Sequence, residues 1–321
     1  MSDHGHAPSA SRETDTPWIH RLALLTSAST VGLIFVGGLV TNTGSGLAVP
    51  DWPTTFGYNM FLYPWSKMVG GIFYEHSHRL IGSIVGLLTL ILALLLWFKE
   101  PSRLLRWLGA VAVVAVVLQG ILGGLRVVLV SAGDGLAILH GCLAQAFFAL
   151  TVTLALLTSR EWNQKPKKIA IPDAGALKRL CLLITGFVYV QIIFGAMLTH
   201  SGSLLQAHLL FAALISIHVS LLAVRILRYH SDQSKLVRPV TILLGLLGAQ
   251  ILLGVGSYVA RFTSLVIPHA PLIGLALPTT HRVTGALMLA TCIVLTLRAY
   301  RLSTLPEGVA SHRFVAEQVR A

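Results

Sequence analysis

Apolar residues run along this chain in eight blocks, at 22–41, 78–98, 104–127, 137–158, 179–200, 204–228, 239–260 and 280–299. A bilayer is crossed by about 20 apolar residues in helical form, so each block predicts a transmembrane helix. The most basic, Pro-containing stretch, 159–179 (SREWNQKPKKIAIPDAGALKR), falls between the fourth and fifth blocks. The predicted fold is therefore all-α: an integral membrane protein whose eight transmembrane helices form two pseudo-symmetric four-helix bundles. The halves are 22–158 and 180–299; the tails 1–21 and 300–321 and the linker 159–179 are expected in the cytoplasm.

Polar positions inside the blocks repeat. QGILGG (119–124) recurs as QIIFGA (191–196) and QILLGV (250–255), always on an odd-numbered helix. The first block offers LIFVGG (33–38), with Leu33 where Gln would stand. HRLIG (78–82) recurs as HRVTG (281–285) on even helices. Each hairpin thus pairs a Gln-x-x-x-Gly helix with a His-x-x-x-small helix. The glycines permit close backbone approach. Shared apolar composition would repeat Gly, Leu and Val, but not Gln and His at fixed offsets inside a membrane, where such residues are expensive.

Composition agrees, with 55% hydrophobic residues and only 11% charged ones, which excludes a soluble globular domain or a disordered chain. The net charge of +12 suggests a nucleic-acid partner until it is placed on the chain. All but Lys67, Arg79, Arg126, Arg261 and Arg282 of the 24 basic residues fall in the N-terminal tail, the alternate loops and the C-terminal tail. That asymmetry is the positive-inside pattern, so the charge reports topology, with both termini cytoplasmic and no nucleic-acid partner. Residues 1–20 are polar and lead into a full-length span without a cleavage signature, so no removable signal peptide is expected. Cys142, Cys181 and Cys292 all lie in spans and read as small apolar packing residues.

Four histidines carry the chemistry. His78, His140, His208 and His281 stand one per even helix, near its outer end, and the residue four later is always small: Gly82, Ala144, Ala212 and Gly285. Neutral imidazole is a standard axial ligand of haem iron, and bundle sites are built from side chains on facing helices. A single such histidine is more often an interfacial residue; four in register predict two haem sites. The natural pairs are His78 with His140 and His208 with His281, although spacing leaves cross-half pairing open. Of the others, His76 points to another side of its helix, and His218 reads as a hydrogen-bonded core residue. His20 marks the inner membrane edge, while His200 and His269 fall at outer loops or helix ends.

Two further features separate the halves. Glu75, three residues before His78, shares its face; the equivalent positions are Ala137, Leu205 and Pro278. A carboxylate there can shuttle a proton or stabilise developing charge, or it can simply match the helix dipole. The outer loop 42–74 is long, aromatic and rich in Gly and Pro, whereas only SGS separates the fifth and sixth spans. Acid, loop and loop length all mark the first half as the reactive one. Arg79 and Arg282 follow their histidines and Arg126 closes the third span. All three are candidates either for haem propionates or for snorkelling to the interface.

TNTGSGLAVPDWP (41–53), EHSHR (75–79), LGGLRV (122–127), LHGCLAQAFF (139–148) and the HRVTG of the last span resemble the haem A synthase family over 22–299. That resemblance implies oxidation of the C8 methyl of haem O to the formyl group of haem A by two successive hydroxylations, through a gem-diol that loses water. It further implies Glu75, His78 and His140 at the substrate haem, and His208 and His281 on a haem b cofactor. A haem O synthase as partner, an external electron donor and a bacterial cytoplasmic membrane location follow from it, and a homo-oligomer is left open. The chain departs from relatives that carry cysteine pairs in outer loops, having Ala48, Val49, Thr54 and Thr55 in that region. The short loop between the fifth and sixth spans also leaves little to cover the second haem. Two other classes of function fit four histidines: a dihaem b-type cytochrome, which would usually stack its haems at two depths, and a non-catalytic haem chaperone.

Overall fold

The computed structural model describes residues 17–164, 166, 168–171, 173–265 and 268–304. His4, His6, Arg12, Lys165, Lys167, His312, Arg313 and Arg320 lie outside the described residues. Eight helices are long and apolar enough to cross a membrane, making this a multi-pass membrane protein. They are α1 (Pro17–Asn42), α2 (Gly71–Lys99), α3 (Arg103–Val128), α4 (Gly133–Leu157), α5 (Ala174–Ser201), α6 (Leu205–Tyr229), α7 (Ser234–Phe262) and α8 (Ala270–Leu302). Every expected span is present. The helices run past the apolar blocks because backbone hydrogen bonding continues through polar interfacial residues. The largest extension is in α8, which starts at Ala270 with a proline in its first turn, where a missing N–H costs nothing.

Within each half the helices pack as a closed ring, α1–α2–α3–α4 and α5–α6–α7–α8, each touching the next and the last touching the first. The histidine-bearing even helices are therefore diagonal partners in both rings. Each half has its own apolar core, around Val85, Leu92 and Leu154 in one and Ile184, Leu222 and Leu289 in the other. The halves meet along α1 and α4 against α5 and α8, with Ile34, Phe148 and Ala286 buried between them. Cys142, Cys181 and Cys292 are free and buried, as apolar packing requires.

Polar ties close both ends of this seam. At one end the linker docks on α8: Glu161 accepts from Arg298 Nη2 at 2.8 Å and lies 3.6 Å from Lys235 Nζ. Arg301 donates to the carbonyls of Trp162 and Gln164. Strand β1 (Ile169–Ala170) pairs in parallel with β2 (Ser303–Thr304) just past α8. At the outer end Asn42 uses both ends of its amide: Nδ2 donates to Thr279 Oγ1 at 2.7 Å and Oδ1 accepts from Arg261 Nη2. One side chain thus joins α1 to α8 and α7. Asn42→Leu removes both bonds, one of them to a cation, and should cost about 1–3 kcal/mol. Thermal inactivation of the purified protein in detergent reads this as a lowered midpoint; an unchanged midpoint would show the tie to be dispensable.

Candidate haem sites

The two diagonal pairs have matching geometry. His78 and His140 have ring centroids 6.4 Å apart with planes at 73°; for His208 and His281 the values are 6.3 Å and 64°. A metal–imidazole bond is about 2 Å and a ring nitrogen lies roughly 1 Å from its ring centre, so two imidazoles on opposite sides of one ion put their centroids about 6 Å apart. Two rings hydrogen-bonded head to head would be closer, at about 5 Å. No hydrogen bond joins the rings of either pair. The pairing left open by spacing falls within each half.

What aims the rings is a notch in the preceding helix. A Cβ added to Gly37 would come 3.0 Å from His78 Cε1, one on Gly123 would come 3.5 Å from His140 Cε1, one on Gly195 would come 3.3 Å from His208 Cε1, and one on Gly254 would come 3.1 Å from His281 Cε1. The Gly of each odd helix is therefore the seat of the His of its hairpin. The Gln one turn earlier fixes the height: Gln119 donates to the His140 carbonyl at 3.0 Å and Gln191 to the His208 carbonyl at 2.9 Å. Gln250 approaches His281 Nε2 at 3.4 Å, and Leu33 can make no such bond.

Nδ1 of all four histidines is buried and without a hydrogen-bond partner. With the Cε1–Nδ1 edge turned onto the glycine, Nε2 is the nitrogen left to ligate in His78, His140 and His208, while at His281 the Gln250 amide stands 3.4 Å from it. Diagonal placement, centroid distance and nitrogen orientation together fit two haems held between paired imidazoles.

The small residues four positions after the histidines do not all leave a gap in the helix wall for a macrocycle. A Cβ on Gly285 would meet the Gln250 amide at 3.3 Å, and one on Gly82 would meet Leu33 at 4.0 Å. At these two positions the neighbouring odd helix uses the gap, so it is not simply open to a macrocycle.

The outer loop is bound to α2 through the EHSHR motif. Glu75 is 4% exposed; its Oε2 accepts from the Val49 amide at 2.8 Å and its Oε1 from Arg79 Nη2 at 2.7 Å. Arg79 also donates to the carbonyls of Asp51, Thr54 and Val49. His76, buried on another side of the helix as expected, contacts Thr55 Oγ1 at 3.1 Å and packs beside Tyr63. Within the loop, the Asp51 carboxylate accepts from Thr54, Phe56 and Gly57. Burial works to raise its pKa, but the donors from Gly57, Thr54 and Phe56 outweigh it and hold the carboxyl below its ordinary value. The turn keeps its acceptor until the pH falls through that lowered pKa. Trp52 lies flat against α3, where a Cβ on Gly124 would overlap its ring.

The expected arginines divide. Arg79 gives both terminal nitrogens to the loop carbonyls and to Glu75, which leaves Arg126 and Arg282 with more donors free. Arg126 carries no hydrogen bond among the described residues and sits beneath the loop, 2.7 Å from a Cβ built on Gly46. Arg282 makes one bond, to Thr41 Oγ1 at 3.1 Å. His218 is satisfied by the Leu214 carbonyl at 2.7 Å and stands edge-on to Phe187, and His20 bonds the Ala155 carbonyl at 3.0 Å. Sequence reasoning missed Asn42, Trp52 and the four glycine seats, although the repeat had singled those glycines out.

A family model described as "Cytochrome oxidase assembly protein" matches residues 20–207, a shorter stretch than the 22–299 over which motifs can be quoted. It ends one residue before His208, so the second pair is supported by geometry and internal repetition. Among relatives, "Heme A synthase" of Shouchella clausii is 32% identical over 189 residues, covering 58% of this chain and 61% of that one. That of Alkalihalophilus pseudofirmus is 30% identical over 192 residues, 58% and 62% of the two chains. That of Methylobacterium radiotolerans is 24% identical over 213 residues, 58% and 56%. The match thus spans about three fifths of the length of these relatives. With more than half of its length matched, from α1 to the start of α6, the chain belongs to the cytochrome oxidase assembly protein family.

Proposed function

We propose that the protein is a haem A synthase, an oxidoreductase that converts the C8 methyl of haem O to a formyl group by successive hydroxylations. The substrate haem sits between His78 and His140, and a haem b cofactor between His208 and His281. The observation that carries this reading is the asymmetry between two otherwise equal histidine pairs. Both have the spacing of a bis-imidazole site, yet only the first has a buried carboxylate three residues away and an ordered loop fastened to it. A pure electron carrier has no use for that difference. The relatives called heme A synthases support the same direction.

Bound haem supplies one-electron redox chemistry; the chain supplies position and charge. His78 and His140, seated on Gly37 and Gly123, would hold the substrate haem. Loop 43–70, locked by Arg79 and Asp51, limits water over the first pair. Each hydroxylation would consume dioxygen with two electrons from the external donor and two protons, giving the alcohol and water; Glu75, a carboxylate three residues from His78, would hold or pass a proton beside the substrate. Arg126 and Arg282 are the guanidinium groups able to receive propionates. The charge pattern supports an orientation with both termini in the cytoplasm and the histidines toward the outer side of a bacterial cytoplasmic membrane. A haem O synthase in the same membrane would provide substrate, an external donor the electrons, and a homo-oligomer is compatible with this arrangement.

Expression together with a haem O synthase tests the reading. Haem A and its hydroxylated precursor are expected among the extracted haems, alongside haem b. Well-expressed protein that retains haem and yields only unmodified haem O and haem b would sink it.

A further inference from the structure

At the outer end of the seam, three arginines from three helices converge: Arg126 of α3, Arg261 of α7 and Arg282 of α8. The end of α1 and the start of the loop that follows it gather them: Arg282 reaches Thr41, Arg261 reaches Asn42, and the Arg126 guanidinium lies 2.7 Å from a Cβ built on Gly46. Arg126 and Arg282 are half-buried and Arg261 lies at the rim. Guanidinium groups do not lose their charge in proteins, so three of them share this place. The acids in reach are Asp134 and Glu75, and Glu75 is already paired with Arg79. Two positive charges are left uncompensated, drawn from both halves of the chain.

Position says what would compensate them. Arg126 lies three residues outward of the His140 seat, His200 five outward of the His208 seat, and Arg261 seven outward of the His281 seat. At about 1.5 Å per residue Arg126 and Arg261 stand roughly 5–10 Å outward of the ligand level, whereas Arg282 starts beside His281 and reaches Thr41 with its long side chain. That is where carboxylates at the edge of a macrocycle reach when its centre lies between the histidines. Arg offers the planar fork that carboxylates take. Tethering by Asn42 and Thr41 presents two of the forks from the first half's α1, although they belong to the second half.

We propose that Arg126, Arg261 and Arg282 form one carboxylate seat between the halves, which takes a propionate from the haem in each pocket. This rests on the two-haem reading above and adds Arg261 as a residue that serves both sites.

The test uses full-length protein in lipid nanodiscs, with one pocket disabled at a time by His78→Ala or His208→Ala. Each form is titrated with iron protoporphyrin IX and with its dimethyl ester, which lacks the charges, and binding is followed by the Soret band. The two-haem reading is checked first, since wild-type protein must bind about two haems per chain and each disabled form about one. If that fails, the earlier reading fails before any arginine is changed. If it holds, Arg261→Gln should weaken binding of the free acid about tenfold in both disabled forms and leave the ester unaffected, with Arg261→Lys restoring part of the loss. Weakening in one form only, no weakening in either, or equal weakening of acid and ester would each overturn the shared seat.

Discussion

Gly254→Leu is expected to empty the second haem pocket although all four histidines remain. The His281 ring rests on Gly254, and even a Cβ there would come 3.1 Å from Cε1. A methyl group can be absorbed by a shift of a few tenths of an ångström, so Gly254→Ala should keep its haem with weakened affinity. An isobutyl group cannot be absorbed. The α7–α8 contact is the most extensive between any two helices here, and opening it would unpack an apolar core at native density. The ring moves instead, by more than the roughly 0.2 Å that a metal–ligand distance tolerates. Haem content measured as the pyridine haemochrome should fall from about two per chain to about one. Gly248, on the same helix, is the control: nothing lies within 4 Å of a Cβ built there, so Gly248→Leu should leave the content unchanged. Two haems retained in Gly254→Leu would mean that the glycine seats do not aim the ligands.

The same glycines show what the sequence could and could not reveal. Their recurrence four residues after Gln was plain, and close helix approach was the correct general reason. That each glycine receives the histidine of the next helix needs the rotation of two helices about their axes, which hydropathy does not encode. The eight spans were legible because lipid imposes one requirement along about 20 residues, whereas their ends, in mixed interfacial sequence, were not. Pairing of the histidines within halves became definite only with the ring-to-ring distances. The hold of Arg79 on the loop was not legible because three of its partners are backbone carbonyls, and carbonyls leave no mark in the sequence. Asn42 and Trp52 stand in a motif that was quoted but whose partners, Thr279, Arg261 and Gly124, are remote in the chain.

Glu75→Ala is expected to abolish product while the second haem stays bound, and the structure gives that loss two causes that a second variant separates. Alanine leaves Arg79 beside a missing carboxylate. The pair is 10% and 6% exposed at its side chains, and breaking a buried pair from one side costs about 3–5 kcal/mol. It also frees the Val49 amide, so the loop loses both its anchors on this residue. Loop 43–70 of Glu75→Ala should therefore become open to proteolysis from the outer side. Glutamine keeps the shape and an acceptor oxygen for Val49 or Arg79, so Glu75→Gln should retain most of the loop's protection. It still lacks the charge and the proton-accepting capacity, for which losses of about 10²–10⁴-fold are usual. We expect haem A formation to vanish in both variants and loop protection to vanish only in the alanine. Haem A formed at the wild-type rate by Glu75→Gln would make Glu75 an anchor alone, and proton delivery at the first site would then need another group.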